Sequence, residues 1–215
     1  MSLRLLGVCV LVLAMTGCAT RDVLTPTFQT AANPNQGVPV RIEQIKDDRV
    51  FQVSPPLPST PSLMDNNISD ESIRSRAFGR KRGPYGIAMG DLLVEEGKTI
   101  ASVSHTAIAR AFREAGYRVV EPGEADYAAA APITVRINKL WLWMEMTIGM
   151  WNLKSSYEVV LTGPVPGLQN GLVVNQDIPH GRAFFTTDQK WTGMLDKTLT
   201  EMYSKVKKAL LIAKI

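Results

Sequence analysis

Two cysteines and two histidines are the strongest nucleophiles and bases in this 215-residue sequence. Cys9 and Cys18 both fall near the start, so the rest of the chain carries no thiol. A zinc site draws three or four ligands from thiolate, imidazole and carboxylate at recognisable spacing. His105 and His180 are far apart with no thiol near either, so no metal is expected. His105 falls between apolar positions and reads as a helix-flank residue, His180 as part of a Pro-His-Gly turn. Neither has a serine elbow to serve, because no Gly-x-Ser-x-Gly occurs. "GDLLVEEGKT" (90–99) ends like a phosphate-binding loop, but six residues separate Gly90 from Gly97 where four are required. Glu95 and Glu96 would also stand where phosphate needs amide donors. The stretch reads instead as a strand end, a turn at Gly97 and a helix cap at Thr99. The neighbouring carboxylates Asp47-Asp48 and Glu95-Glu96 would point to opposite faces of a strand. Glycoside hydrolysis needs two carboxyls facing across a cleft. None of these patterns makes an enzyme.

One thiol does have a legible chemistry. In "LVLAMTGCATRD" (11–22), Cys18 follows an apolar run, Leu5 to Met15, that is preceded by a single charge, Arg4. Eleven helical residues span about half of a bilayer's hydrocarbon core. A positive start, a short apolar run and small residues at a cleavage point describe a secretory signal. Met15-Thr16-Gly17-Cys18 resembles the bacterial lipobox, in which the thiol becomes a thioether to diacylglycerol before cleavage. Leucine is usual where Met15 stands. Residues 1–17 are therefore expected to be a lipoprotein signal peptide, Cys18 the lipidated first residue, and residues 18–37 a flexible tether. Ala19, rather than aspartate, follows the cysteine, which by the same resemblance implies the outer membrane, periplasmic side. A palmitate-type diacylglycerol anchor at Cys18 is the only covalent group expected, with no other cofactor.

The net charge of +4 falls to about +3 once Arg4 is removed, a mild excess that argues against a nucleic-acid binder. Hydrophobic residues make up 45%, enough for one real core. With no cysteine left to pair, that core must hold the domain together without disulfides.

The core elements are legible by period. "PVRIEQI" (39–45) reads as a strand, and four prolines between 55 and 61 forbid helix. Ile100, Val103, Ala107, Ile108, Ala111 and Phe112 recur at helical spacing up to Gly116, and Tyr117 to Val120 continues as a strand. "ITVRINKLWLWMEM" places Ile133, Val135, Ile137, Trp141 and Trp143 on one face, with Leu140, Leu142 and Met144 on the other. "WNLKSSYEVVL" (151–161) alternates, and 172–185 supplies a strand pair or one interrupted strand. Residues 188–211 form a second amphipathic helix through Trp191, Leu195, Thr198, Leu199, Met202, Val206 and Leu210. The expectation is an α+β fold: a two-layer domain over 38–215, with a largely antiparallel sheet, two amphipathic helices on one face, and a long Pro/Gly/basic loop at about 46–98.

Two stretches could bind. "RSRAFGRKRGPYG" gathers Arg74, Arg76, Arg80, Lys81 and Arg82 with Tyr85, suited to lipid phosphate, anionic glycan or an acidic protein surface, or else merely a solvated loop. "LWLWMEMTIGMW" (140–151) offers Leu140, Leu142 and Met144 as an apolar face for a partner or acyl chain, unless the proline-rich loop or a second subunit covers it.

"PVRIEQIKDDRVF", "PPLPSTPSL", "FGRKRGPYGIAMGDLLVEEGKTI", "REAGYRVV" and "ITVRINKLWLWM", in that order, resemble the YajG-type family of bacterial lipoproteins. The resemblance implies an envelope lipoprotein with a small α+β domain and carries over no catalytic residue. The leading expectation is a non-catalytic envelope lipoprotein that binds a protein partner or itself. A periplasmic lipid- or glycan-binding carrier is the alternative, and an envelope hydrolase the least favoured.

Overall fold

The computed structural model describes residues 22–34, 36–83 and 86–214. The expected signal segment, Cys18 and Tyr85 lie outside them. Among the described residues eight strands form one sheet: β1 (Asp22–Leu24), β2 (Val38–Asp47), β3 (Ala77–Arg82), β4 (Ala88–Val94), β5 (Tyr117–Val119), β6 (Ala131–Thr147), β7 (Met150–Thr162) and β8 (Leu172–Ala183). Three α-helices accompany them among the described residues: α1 (Glu71–Arg74), α2 (Ile100–Glu114) and α3 (Asp188–Ile212).

The long β6 is the axis of the sheet. One of its edges carries β7 and then β8 in antiparallel hairpins. Its other edge is shared: β2 pairs with the early residues, Val40 to Asp47 against Ala131 to Ile137, and β3 meets it later, Gly79 opposite Leu142. A Cβ on Gly79 would lie 2.7 Å from the Leu142 carbonyl oxygen, so only glycine lets the two strands approach. Outward from there lie β5 beside β2, β4 beside β3, and β1 beside β4.

The expected largely antiparallel sheet is corrected to a mixed one. The pairs β1–β4, β2–β5, β2–β6 and β3–β6 are parallel, and β3–β4, β6–β7 and β7–β8 are antiparallel. Period-two alternation reports a strand but not its direction; the parallel pairs join strands linked by long connections, as geometry requires.

Arg49 closes the fork where β2 and β3 part company on β6. Its buried guanidinium donates to the carbonyls of Leu140 (3.2 Å), Arg74 (3.0 Å) and Ala77, and pairs with Asp47 at 2.7 Å. Those carbonyls would otherwise be lost from any ladder at the fork.

Both predicted helices form and begin where expected. Thr99 Oγ1 accepts from the Ser102 amide (3.1 Å) while Ser102 Oγ accepts from the Thr99 amide (2.9 Å), a reciprocal cap on α2. Gly97 makes the preceding turn at φ +81°. Ile108 and Phe112 of α2 join Trp191, Leu195 and Leu199 of α3 in one core with Ile133, Val135, Leu142 and Tyr157 of the sheet. Glu114 ties the helices together, accepting from Arg110 Nε (2.8 Å), Lys207 Nζ (3.0 Å) and the Tyr203 hydroxyl.

Two segments read as irregular are built into the body. The 46–98 stretch contains α1, β3 and β4. The expected tether is docked from Asp22 onward: β1 pairs with β4, and the Thr27 amide and hydroxyl both donate to Asp196 (2.8 and 2.7 Å). Phe28 packs on Tyr203, and the Asn33 side chain bridges the amide and carbonyl of Val119 at 2.9 Å each. Only residues 19–21 then separate Cys18 from the first strand.

Candidate functional site

The basic cluster runs from the end of α1 through β3, with its charges largely engaged inside the molecule. Arg80 is almost fully buried, 3.8 Å from the fully buried Asp91 carboxylate and 3.1 Å from Ser62 Oγ. Asp91 also accepts from the Met64 amide, which fastens the proline-rich segment to β4. Arg82 reaches the same Ser62 hydroxyl (3.1 Å) and the Gly86 carbonyl (3.2 Å); burial, then the neighbouring Arg80 charge, lowers its pKa. Lys81 joins Asp22 of β1 and, at 3.1 Å, Asp188 at the start of α3. Arg76 donates to the Val94 carbonyl (3.0 Å), and Arg74 pairs with Glu71. The basic residues that looked free for an anionic partner thus hold β1, β3, β4 and α3 in register.

Leu140, Leu142 and Met144 are likewise core. A bulge between Ile137 and Lys139 adds one residue to β6 and reverses the parity of everything after it. Ile133, Val135, Ile137, Leu140, Leu142 and Met144 consequently share the helix-covered face. Trp141 and Trp143 turn to the other face, where they pack with Leu63, Ile73, Ala77 and Leu93 beneath the proline-rich segment. Trp141 Nε1 donates to the Pro58 carbonyl at 3.1 Å, and Phe51 meets its ring edge-on at 5.9 Å. The space between helices and sheet, where a carrier would hold an acyl chain, is filled by these side chains.

The structure assembles one polar cluster that no motif announced. Ser155 Oγ on β7 lies 2.8 Å from His180 Nε2 on β8 and 2.7 Å from Thr198 Oγ1 on α3. Proton bookkeeping decides what this can do. Thr198 donates to the Met194 carbonyl at 2.7 Å, so its only hydrogen is committed and it accepts from Ser155. Ser155 then has no proton to give His180, and the imidazole donates Nε2–H to Ser155. The chain runs from His180 through Ser155 and Thr198 to the backbone, opposite to the direction a general base needs. Burial, then the charges of Lys197 and Lys190, lowers the His180 pKa to about 4, which keeps the ring neutral. A cavity of about 260 Å³ lies beside it, lined by His180, Gln189, Lys190, Gly193, Met194 and Lys197. The cluster is a polar pin between sheet and α3. Its trace in the sequence is two small hydroxyl residues at inward positions, Ser155 between Leu153 and Tyr157, and Thr198 on the apolar stripe of α3.

His105 is half-buried on α2 with its pKa lowered chiefly by burial, beside a polar hollow lined by Asn33, Arg113 and Glu121. Among the described residues no group of three or more His, Cys, Asp or Glu side chains could hold a metal, and no helix is long and apolar enough to cross a membrane. A further binding feature is an edge. β8 pairs with β7 alone, so among the described residues the outer hydrogen-bonding edge of this twelve-residue strand meets no other strand.

No protein-family model matches this sequence, and no curated protein does. Among solved structures, a Xanthomonas campestris protein of the DUF330 family superposes with a TM-score of 0.47 at 10% identity, over 90% of this chain and 96% of that one. An uncharacterised protein superposes with a TM-score of 0.42 at 8% identity, over 80% of this chain and 95% of that one. The YajG-type resemblance rests on its quoted motifs.

Proposed function

We propose that this chain is a non-catalytic bacterial envelope lipoprotein, tethered through Cys18 at the periplasmic face of the outer membrane, that binds a protein partner along the outer edge of β8. The open edge carries the reading. A strand paired on one side presents a row of amides and carbonyls that a strand from another protein, or from a second copy, completes by β-augmentation. Pro179 and Gly181 blunt the end of the edge, which confines pairing to Leu172–Ile178. The lipobox at Cys18 supports the anchor.

Photocrosslinking in intact cells tests both parts. A photoreactive residue at the exposed Asn175 is expected to give a discrete protein adduct, of twice the chain mass if a second copy supplies the strand. The same probe at Lys205 on α3 is expected to give none. Adducts from Lys205 but not Asn175 would retire the edge. Cys18→Ser is expected to release the protein from membranes, and its retention after carbonate washing would retire the tether.

A further inference from the structure

Six exposed apolar side chains gather at one end of the sheet. Ile87 and Met89 stand at the β3–β4 turn, Met146 and Ile148 at the β6–β7 turn, and Phe184 and Phe185 just after β8. Ile148 is fully exposed, and the two phenylalanines are 72% and 77% exposed. Strand register places these turns together. β3 runs parallel to β6 with Gly79 opposite Leu142, and Arg82 pairs with Ala88 three residues later, level with Glu145. Met146 faces Trp151, and Trp151 faces Ala183. A monomer in water rarely leaves so many large apolar groups on one surface without a use for them.

The chain emerges at this same end. β1 is parallel to β4 with Asp22 opposite Leu92, so β1 begins on the side of β4 that holds Ala88 and the β3–β4 turn. Lys81 fixes that exit by holding Asp22 against Asp188 of α3. From Asp22 back to Cys18 is four Cα steps, about 14 Å when fully extended. From Leu92 to Ala88 is four strand residues, about 13 Å. Cys18 can therefore just reach the level of the apolar end. The other end of the sheet lies the length of the seventeen-residue β6 away, about 55 Å, beyond any reach of the anchor.

We propose that this end is a membrane-docking face, whose apolar side chains enter the lipid leaflet that holds the acyl chains of Cys18. The inference rests on Cys18 being lipidated, as in the function proposed above. Acyl chains on so short a link cannot be buried in a leaflet unless the leaflet lies against the end of the body. The side chains found there suit it: Phe, Ile and Met enter the boundary between headgroups and acyl chains. Arg182 and Lys190, exposed at the same end, meet lipid phosphates. The body then stands upright on the membrane with β6 along the normal, which turns the β8 edge sideways and leaves it open to a partner.

The test uses the full chain, processed in cells and reconstituted into phosphatidylethanolamine–phosphatidylglycerol vesicles. Removal of Cys9 and alkylation of Cys18 leave no free thiol, so Ile148→Cys, Phe185→Cys and Val173→Cys each accept a single environment-sensitive fluorophore. Val173 is exposed but ten strand residues below Ala183, about 33 Å from the end. The probes at 148 and 185 are expected to shift to the blue and to be quenched several-fold more strongly by brominated lipid than the probe at 173. Equal, water-like emission from all three, in protein whose intact mass shows the diacylglyceryl addition, would overturn the docking face and leave the lipoprotein reading intact. A mass without that addition would overturn the lipoprotein reading, and this inference with it.

Discussion

The two faces of β6 are both apolar and are covered in different ways. Two long helices cover one face, and their contribution is almost wholly burial: Phe112, Trp191, Leu195 and Leu199 against Ile133, Leu142 and Tyr157. An irregular chain with four prolines covers the other, and the cluster beneath it is small: Leu63, Ile73, Ala77, Leu93 and the two tryptophans. That cover is held by specific polar bonds, from Arg49 to three carbonyls, from the Met64 amide to Asp91, and from Trp141 to the Pro58 carbonyl. A helix satisfies its own backbone and can be pressed on as a cylinder. A proline-rich segment cannot, so each carbonyl it buries needs a named donor. One face should therefore fail through lost volume, the other through lost hydrogen bonds.

The largest effect is expected from volume on the helix face. Phe112→Ala removes a fully buried ring and should cost about 4 kcal/mol, read as a lower denaturant midpoint in the Cys18→Ser chain. Arg49→Met should come next at about 3 kcal/mol, since it keeps most of the volume but strips donors from three buried carbonyls and leaves Asp47 without its counter-charge. Hydrogen exchange separates the two. Arg49→Met should speed exchange in 50–76 while α2 and α3 keep their protection; uniform acceleration would mean that the faces are not independent.

The same contrast explains what could be read from the chain. The helix face declares itself through a 3.6-residue stripe and a cap at Thr99, and β2, β5, β7 and α3 likewise follow from local period. The bulge at Ile137/Lys139 does not, because one extra residue leaves two short alternations that each look sound while the phase between them is lost. Without that extra residue the alternation sets Trp141 and Trp143 on the face of Ile133 and leaves Leu140, Leu142 and Met144 on the other. "AFGRKR" has the composition of a solvated turn and so conceals β3; the carboxylates that engage its charges, Asp22, Asp91 and Asp188, come from other elements. The Ser155–His180–Thr198 pin was hidden for the same reason, each member coming from a different element.

A smaller effect is expected from the tryptophans. Trp141→Phe retains the aromatic contact with Phe51 but removes the donor to Pro58 and part of the ring, and should cost about 2 kcal/mol. Protease nicking near 55–61 should rise with it. Unchanged nicking would show that the prolines alone keep the cover in place.

The smallest effect sharpens the comparison from the other side, because His180 is a polar pin within the volume-dominated half. Its ring stays neutral in the folded protein down to about pH 4, whereas in the unfolded chain it takes up a proton near its ordinary value of 6.5. Between those values the unfolded state binds more protons, so stability should fall as pH drops from about 6.5 to about 4 and should be flat above that window. With the ring only half-buried, solvent screening leaves about 1 kcal/mol of the full shift. Glu114 does not confuse the reading: its pKa is held down to about 2 by Tyr203 and Arg110, so its contribution is lost only below its ordinary 4.5. In a His105→Gln background, which removes the other imidazole whose pKa burial lowers, His180→Gln keeps a donor for Ser155 and carries no titrating ring, so the slope between 6.5 and 4 should vanish while stability at neutral pH barely moves. If the slope survives the substitution, the acid-labile pin lies elsewhere and His180 only fills the gap between β8 and α3. If it vanishes, even the helix-covered half depends on a directional polar bond where α3 meets the sheet.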